Sequence, residues 1–123
     1  MPSPLGRLKQ RKDFLRIAGG RRKWTAPGFV LQTSPSPAPE RAGAKAEGRR
    51  VGFTASKKVG NAVARNRAKR RLRALVREVM SGHATPGQDF VLIARTETVE
   101  RSYQAMAADL EAGLKRLGLW RDG

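Results

Sequence analysis

Between Arg49 and Arg77 the chain carries eleven basic residues and no acid. Like charges at that density repel one another, so the segment has to lie at a surface, and a folded surface of that sign calls for a polyanion as counterion. The neighbouring segments sharpen the point. Residues 1–23 hold eight basic residues and one acid, residues 24–48 hold two of each, and residues 78–123 hold five basic and seven acidic residues. The net charge of +16 is therefore concentrated in two blocks. A solvated charged face is the plainer reading of a charge run, but such faces ordinarily interleave both signs.

With 123 residues, 39% of them hydrophobic, the chain suits one domain with one modest core. That is more apolar content than a disordered basic tail carries. The absence of Cys excludes disulfides, Cys-ligated zinc and a Cys nucleophile together. The single His, His83, sits in a Ser-Gly-His loop with no visible partner for catalysis or metal binding, and reads as an ordinary loop residue. No apolar run approaches the roughly 18 residues of a membrane span. The charged N-terminus lacks the apolar stretch of a signal peptide. The expectation is one soluble, cytoplasmic domain over residues 1–123, with a flexible basic N-terminus at about 1–10. It has no membrane association and no evident obligate protein partner.

Hydrophobic patterning places the elements. Residues 11–18 read as a short helix with Phe14, Ile17 and Ala18 on one side, ended by Gly19-Gly20. Residues 28–34 alternate as a strand. Residues 35–48, rich in Pro, Ala and Gly, read as a flexible connection within the domain. A second strand covers 50–56. Asn61 is a good N-cap for a long helix reaching about Met80. Residues 89–95 form a nearly continuous apolar strand, as expected of one buried on both faces. A last helix is expected from about Val99 to Leu117, stopped by Gly118. The order α-β-β-α-β-α makes an α+β fold, a two-layer α/β sandwich.

On the long helix, Ala64, Ala68, Leu72, Leu75 and Val79 fall within about 80° of arc, a stripe that can dock on a sheet. Asn66, Arg67, Arg70, Arg73 and Arg77 lie roughly opposite. Arg65 and Lys69 flank one edge of the stripe and Arg71 the other. Guanidinium forks suit phosphate, since each donates two hydrogen bonds at once. A basic amphipathic helix also suits an acidic membrane, but no Trp, Phe or Leu borders this basic face. Just before the helix, Ser56-Lys57-Lys58-Val59-Gly60-Asn61 joins strand to helix. Two lysines at a helix start favour an anion there. The phosphate-loop pattern GxxxxGK[ST] is absent.

The string from Thr54 to Arg73, centred on Arg65-Asn66-Arg67 and followed by Lys69-Arg70-Arg71 and Arg73, closely resembles the signature of the bacterial ribonuclease P protein subunit. Asp13-Phe14, Phe29-Val30-Leu31 and the Asp89–Arg95 strand fit the same family, and the resemblance spans about residues 7–117. It implies the same α-β-β-α-β-α sandwich, with a left-handed strand–helix–strand crossover. The implied partners are the catalytic RNA of ribonuclease P and precursor tRNA, whose 5′ leader the ribonucleoprotein removes. Chemistry is then expected in the RNA with its bound Mg2+, held mainly by RNA, and no metal is assigned to the protein.

Carried over residue by residue, the resemblance places Ser56, Lys57, Lys58, Arg65, Asn66, Arg67, Lys69, Arg70 and Arg73 against the catalytic RNA. It places Lys12, Phe14, Arg16, Val30, Gln32 and Thr54 in or beside a groove for the single-stranded leader. Core burial is the competing role for Phe14 and Val30. Ala18 and Gln32 stand where relatives can carry aromatic residues, so this leader contact is expected to rely more on charge and hydrogen bonding than on stacking. No catalytic residue is assigned. Glu97 and Glu100, near a helix start, offset its dipole. Two other function classes remain: a general nucleic-acid-binding structural protein, which the 54–73 signature argues against, and a protein-only ribonuclease, which lacks an acid–base pair.

Overall fold

The computed structural model describes residues 5–37 and 49–122. Its centre is a five-stranded mixed sheet ordered β1-β4-β5-β3-β2. The strands are β1 (Gly6–Arg7), β2 (Lys23–Thr25), β3 (Phe29–Pro35), β4 (Arg50–Thr54) and β5 (Gln88–Ala94). The helices are α1 (Arg11–Gly19), α2 (Ala62–Val79) and α3 (Tyr103–Arg116). β5 lies between β4, to which it runs parallel, and β3, to which it runs antiparallel. Its residues are buried on both faces, with Phe90 and Leu92 on one and Val91 on the other, which is why it reads as a continuous apolar run.

The alternation of the strands sorts the layers. Phe29 and Leu31 of β3, Val51 of β4, and Phe90, Leu92 and Ala94 of β5 face α2 and α3. From the helices come Ala68, Leu72, Leu75 and Val76 of α2, with Met106, Leu110 and Leu114 of α3. Helices packed on a mixed sheet in this way make the expected α+β fold. On the other face, Val91 meets Ile17 of α1 and Leu8, with Phe14 and Ile93 at the margin. α2 begins where Asn61 accepts a hydrogen bond from the Ala64 amide at 2.9 Å, and Met80 closes it.

Several expectations change. Two edge strands join the three foreseen. β1 pairs with β4 through Gly6 and Arg7, and Leu8 is buried. The segment from Leu5 onward is thus built into the sheet, unlike the flexible arm expected over about 1–10. β2 pairs with β3 across the Ala26–Gly28 turn. Ala18 is exposed, so the buried face of α1 is narrower than expected. α3 begins at Tyr103, not near Val99, because the Ser102 side chain caps the Ala105 amide at 3.0 Å. The residues before it make a short 3-10 turn, Thr96–Thr98. Of the connection at 35–48, residues 38–48 lie outside the described residues.

An isolated helix as short as α1 is marginal in water, so it needs tertiary anchors. Ile17 is one. The second is ionic. Asp89, fully buried, accepts two hydrogen bonds from Arg50, at 2.9 and 2.7 Å, and one from Arg16 of α1 at 2.5 Å. Arg16 also meets Asp13 at 3.3 Å, Ser34 Oγ at 3.1 Å and the Pro35 carbonyl at 3.1 Å. The hydrogen bond to Asp89 raises the Arg50 pKa above its ordinary value, so this guanidinium stays charged throughout. One carboxylate thereby ties α1 to both β4 and β5.

Two measurements follow. Asp89→Ala should lower stability by about 3 kcal/mol in urea unfolding, the low end for removing one member of a buried ion pair. Arg16→Ala should cost less, because its side chain is 30% exposed. Equal, small losses would mean the pairing does not anchor α1. The chain's single tyrosine, Tyr103, donates its hydroxyl hydrogen bond to Glu78 of α2. Burial, and then this contact, push its pKa up to about 12. The raised value means the folded state with its neutral tyrosine keeps full stability below pH 10 and loses some of it as pH rises from 10 through 12. Tyrosinate absorbance should therefore titrate near 12, and Glu78→Gln should move the midpoint down; an ordinary midpoint would show that the ring is neither buried nor bonded to Glu78 in solution.

Candidate nucleic-acid interface

The connection from β4 to α2 is built for close passage of the backbone. Ser56 Oγ accepts from the Lys58 amide at 3.3 Å and starts a 3-10 turn over Lys57–Val59. Gly60 follows at φ +143°, and a Cβ there would meet Ala64 Cβ at 2.9 Å, so glycine is required on both counts. Ser56, Lys57 and Lys58 are exposed on this turn. Asn61 then opens α2, whose first turn contains no acid. The helix dipole and the two lysines therefore add in attracting an anion.

Along α2 the arginines divide into two groups. Asn66, Arg67, Arg70 and Arg73 are exposed. Among the described residues none of these three arginines pairs with a carboxylate, and Arg73 lies over the Phe53 ring with its guanidinium carbon 5.8 Å from the centroid. Lys69 is half-buried. Arg65 is also half-buried, donating to the Gly60 carbonyl at 3.1 Å, and so braces the turn it follows. Arg71 crosses to the segment before α3, donating to the carbonyls of Thr98, Val99 and Arg101. It belongs to the same basic string, yet its work is structural. Periodicity puts it at the edge of the buried stripe; only the fold shows what it reaches.

The proposed leader residues fall on the sheet face that α1 covers. Register aligns Val30 with Ile93, and Ile93 with Thr54, in one row across β3, β5 and β4, all half-buried. Gln32 lies two residues along β3 on the same face. Phe14 lies on Gly52: a Cβ at that glycine would come within 2.5 Å of the Phe14 ring. Phe14 is half-buried, so packing and a free ring edge coexist. Lys12 is exposed on α1. Arg16 is placed differently. It is engaged at the Arg50–Asp89 end of the sheet, four residues of β4 away from Thr54, or roughly 13 Å at the usual strand rise. Ile93, missing from the sequence-derived set, completes the row; the alternation of β5 around Leu92 is the signal that points to it.

The family model described as Ribonuclease P matches residues 3–118. The ribonuclease P protein component of Paramagnetospirillum magneticum is 53% identical over 118 residues, covering 96% of this chain and 86% of that protein. Among solved structures, a Staphylococcus aureus RNase P protein mutant with defective mRNA degradation activity superposes with a TM-score of 0.72 at 29% identity. That match covers 92% of this chain and 88% of the other. The Thermotoga maritima RNase P protein gives 0.68 at 26% identity, covering 95% and 98%.

The two groups of arginines on α2 should separate in experiment. Arg70→Ala should leave thermal stability near wild type and lower the log–log salt slope of RNA binding by about 0.7–0.9, one phosphate contact. Arg71→Ala should instead lower the melting temperature, because three backbone carbonyls lose their donor. An unchanged slope for Arg70→Ala would place that side chain away from phosphate.

Proposed function

This chain belongs to the ribonuclease P protein-component family, and we propose that it binds the catalytic RNA of ribonuclease P and the 5′ leader of precursor tRNA, in the cytoplasm, to assist endonucleolytic formation of the mature tRNA 5′ end. The observation that carries the reading is the exposed face of α2. Asn66, Arg67, Arg70 and Arg73 project from it with no acid among them, beside Lys57 and Lys58 on the turn. Side chains so placed meet a phosphate backbone without first breaking an internal salt bridge.

The half-buried row of Val30, Ile93 and Thr54, with Phe14 and Gln32, takes the leader. It offers apolar surface and two polar side chains to unpaired nucleotides, with Lys12 exposed on α1 for the backbone. Single-stranded RNA is recognised in this way, through exposed bases and charge rather than groove edges. With alanine at position 18 and glutamine at 32, the contact depends on hydrogen bonding and charge more than on stacking.

The protein's part is to bind and position. Among the described residues no group of three or more His, Asp or Glu side chains stands together as a metal site. We assign the magnesium ions of the reaction to the RNA. Glu97 and Glu100 line one hollow together with Arg101, whose hydrogen bond to Asp109 raises its pKa.

Reconstitution tests the reading directly. Precursor tRNA is incubated at low magnesium with protein alone, catalytic RNA alone, and both together. Cleavage by the pair and not by either component is expected. Cleavage by the protein alone would make it a ribonuclease in its own right. Failure to assist the RNA would leave a general RNA-binding protein.

A further inference from the structure

On the opposite sheet face from the leader row, a cleft of about 550 Å³ opens between the edge strand β1 and the C-terminal half of α2. Val51, Phe53 and Val76 form an apolar floor, and Arg7, Arg73 and Arg77 stand around it. All three arginines are exposed, and among the described residues none pairs with a carboxylate. No acid lines the cleft. An aromatic ring set among three guanidiniums that have no carboxylate partner, one of them already over the ring, matches a nucleotide in both of its parts: a base packs against the ring beside Arg73, and its phosphates meet the cations. The volume falls within the roughly 300–1,000 Å³ usual for small-ligand sites, room for one or two nucleotides.

We propose that this cleft binds an unpaired nucleotide segment of the partner RNA, with the base against Phe53 and the adjoining phosphates held by Arg7, Arg73 and Arg77. The proposal rests on the RNA-partner reading above and extends the interface past the 54–73 block. Arg73 is the hinge between the two surfaces. It lies on the exposed face of α2 and over the Phe53 ring. Arg77, one turn further on, continues the line of charge into the cleft, and Arg7 faces it from β1. RNA lying along α2 from Arg67 to Arg77 reaches the cleft without leaving the helix.

The test is equilibrium binding of the full chain to catalytic RNA. Variants are Arg77→Ala and Phe53→Leu, with Arg67→Ala and Arg116→Ala as references. Arg116 is an exposed cation of α3 that does not line the cleft. Arg77→Ala is expected to weaken binding at least about fivefold and to lower the log–log salt slope by about 0.7, the single-strand value per phosphate. Phe53→Leu keeps the apolar bulk and is expected to weaken binding by at least about fivefold, the lower end for a lost base stack. Because Phe53 also touches the core, its melting curve is recorded, and Arg77→Ala decides the outcome. If Arg77→Ala binds as wild type while Arg67→Ala is weakened, the cleft proposal falls alone, and an acidic peptide becomes the better fit to the cleft. If neither variant is weakened, the RNA-partner reading falls as well. If Arg116→Ala weakens binding as much as Arg77→Ala, the effect is long-range charge and the cleft proposal is overturned.

Discussion

Asp89 is the one carboxylate on which the arrangement turns. A chain with a net charge of +16 resists compaction, and its shortest α-helix, α1, has only a small apolar contact to hold it. The fully buried carboxylate on β5 takes Arg50 through two hydrogen bonds and Arg16 through a third. It neutralises charge in the place where the charge would otherwise have to be desolvated alone. The cost of burying such groups is high, and it is offset only because every oxygen is engaged. With α1 fixed in this way, Phe14 and Lys12 come to stand over the sheet face where Val30, Ile93 and Thr54 align.

Acids being scarce, other arginines are satisfied by backbone carbonyls. Arg49 reaches Ser81 and Ala84, Arg95 reaches Ala26, Arg22 reaches Leu117, and Arg71 reaches three carbonyls before α3. Loop and helix-end carbonyls lack regular partners, and a guanidinium can span several of them. The positive charge of this protein therefore does two kinds of work. One set of arginines pins loops and helix ends to the core, and the other set projects outward. Total charge overstates the outward-facing set, and contacts made across the fold settle which set a residue joins.

Much of this was legible in the residues. Asn61, the stripe through Ala68, Leu72 and Leu75, and the terminator Gly118 mark two helix boundaries through local chemistry that tertiary contacts do not override. The alternation in β3 and β4 sorts side chains to faces in the same local way. The start of α3 was harder: Ser102 is a sound cap, but apolar Val99 extends the pattern upstream, and only the Arg71 contacts show that stretch leaving the helix. β1 is two residues long and carries no periodicity, so its pairing depends wholly on β4. β2 had a weak signal, since Pro27-Gly28 after Trp24-Thr25 reads as a hairpin turn. Arg16 and Arg71 look like their neighbours in composition and spacing. Their engagement with Asp89 and with distant carbonyls is non-local, and no sequence window contains it.

The contact between Phe14 and Gly52 carries a mechanical consequence. The ring rests where β4 has no side chain, and even a methyl at that position would come within 2.5 Å of it. Any larger residue at 52 displaces the ring, whose Cε1 and Cζ are the far end of the side chain. Where the ring keeps its rotamer, α1 has to rise with it, and that motion draws Arg16 away from Asp89 as it opens the space above the sheet. The width of the groove and the security of the helix are thus settings of a single lever. A lineage that needed a roomier groove could not obtain it at Gly52 alone; it would have to shorten the side chain at 14, leaving the fulcrum in place.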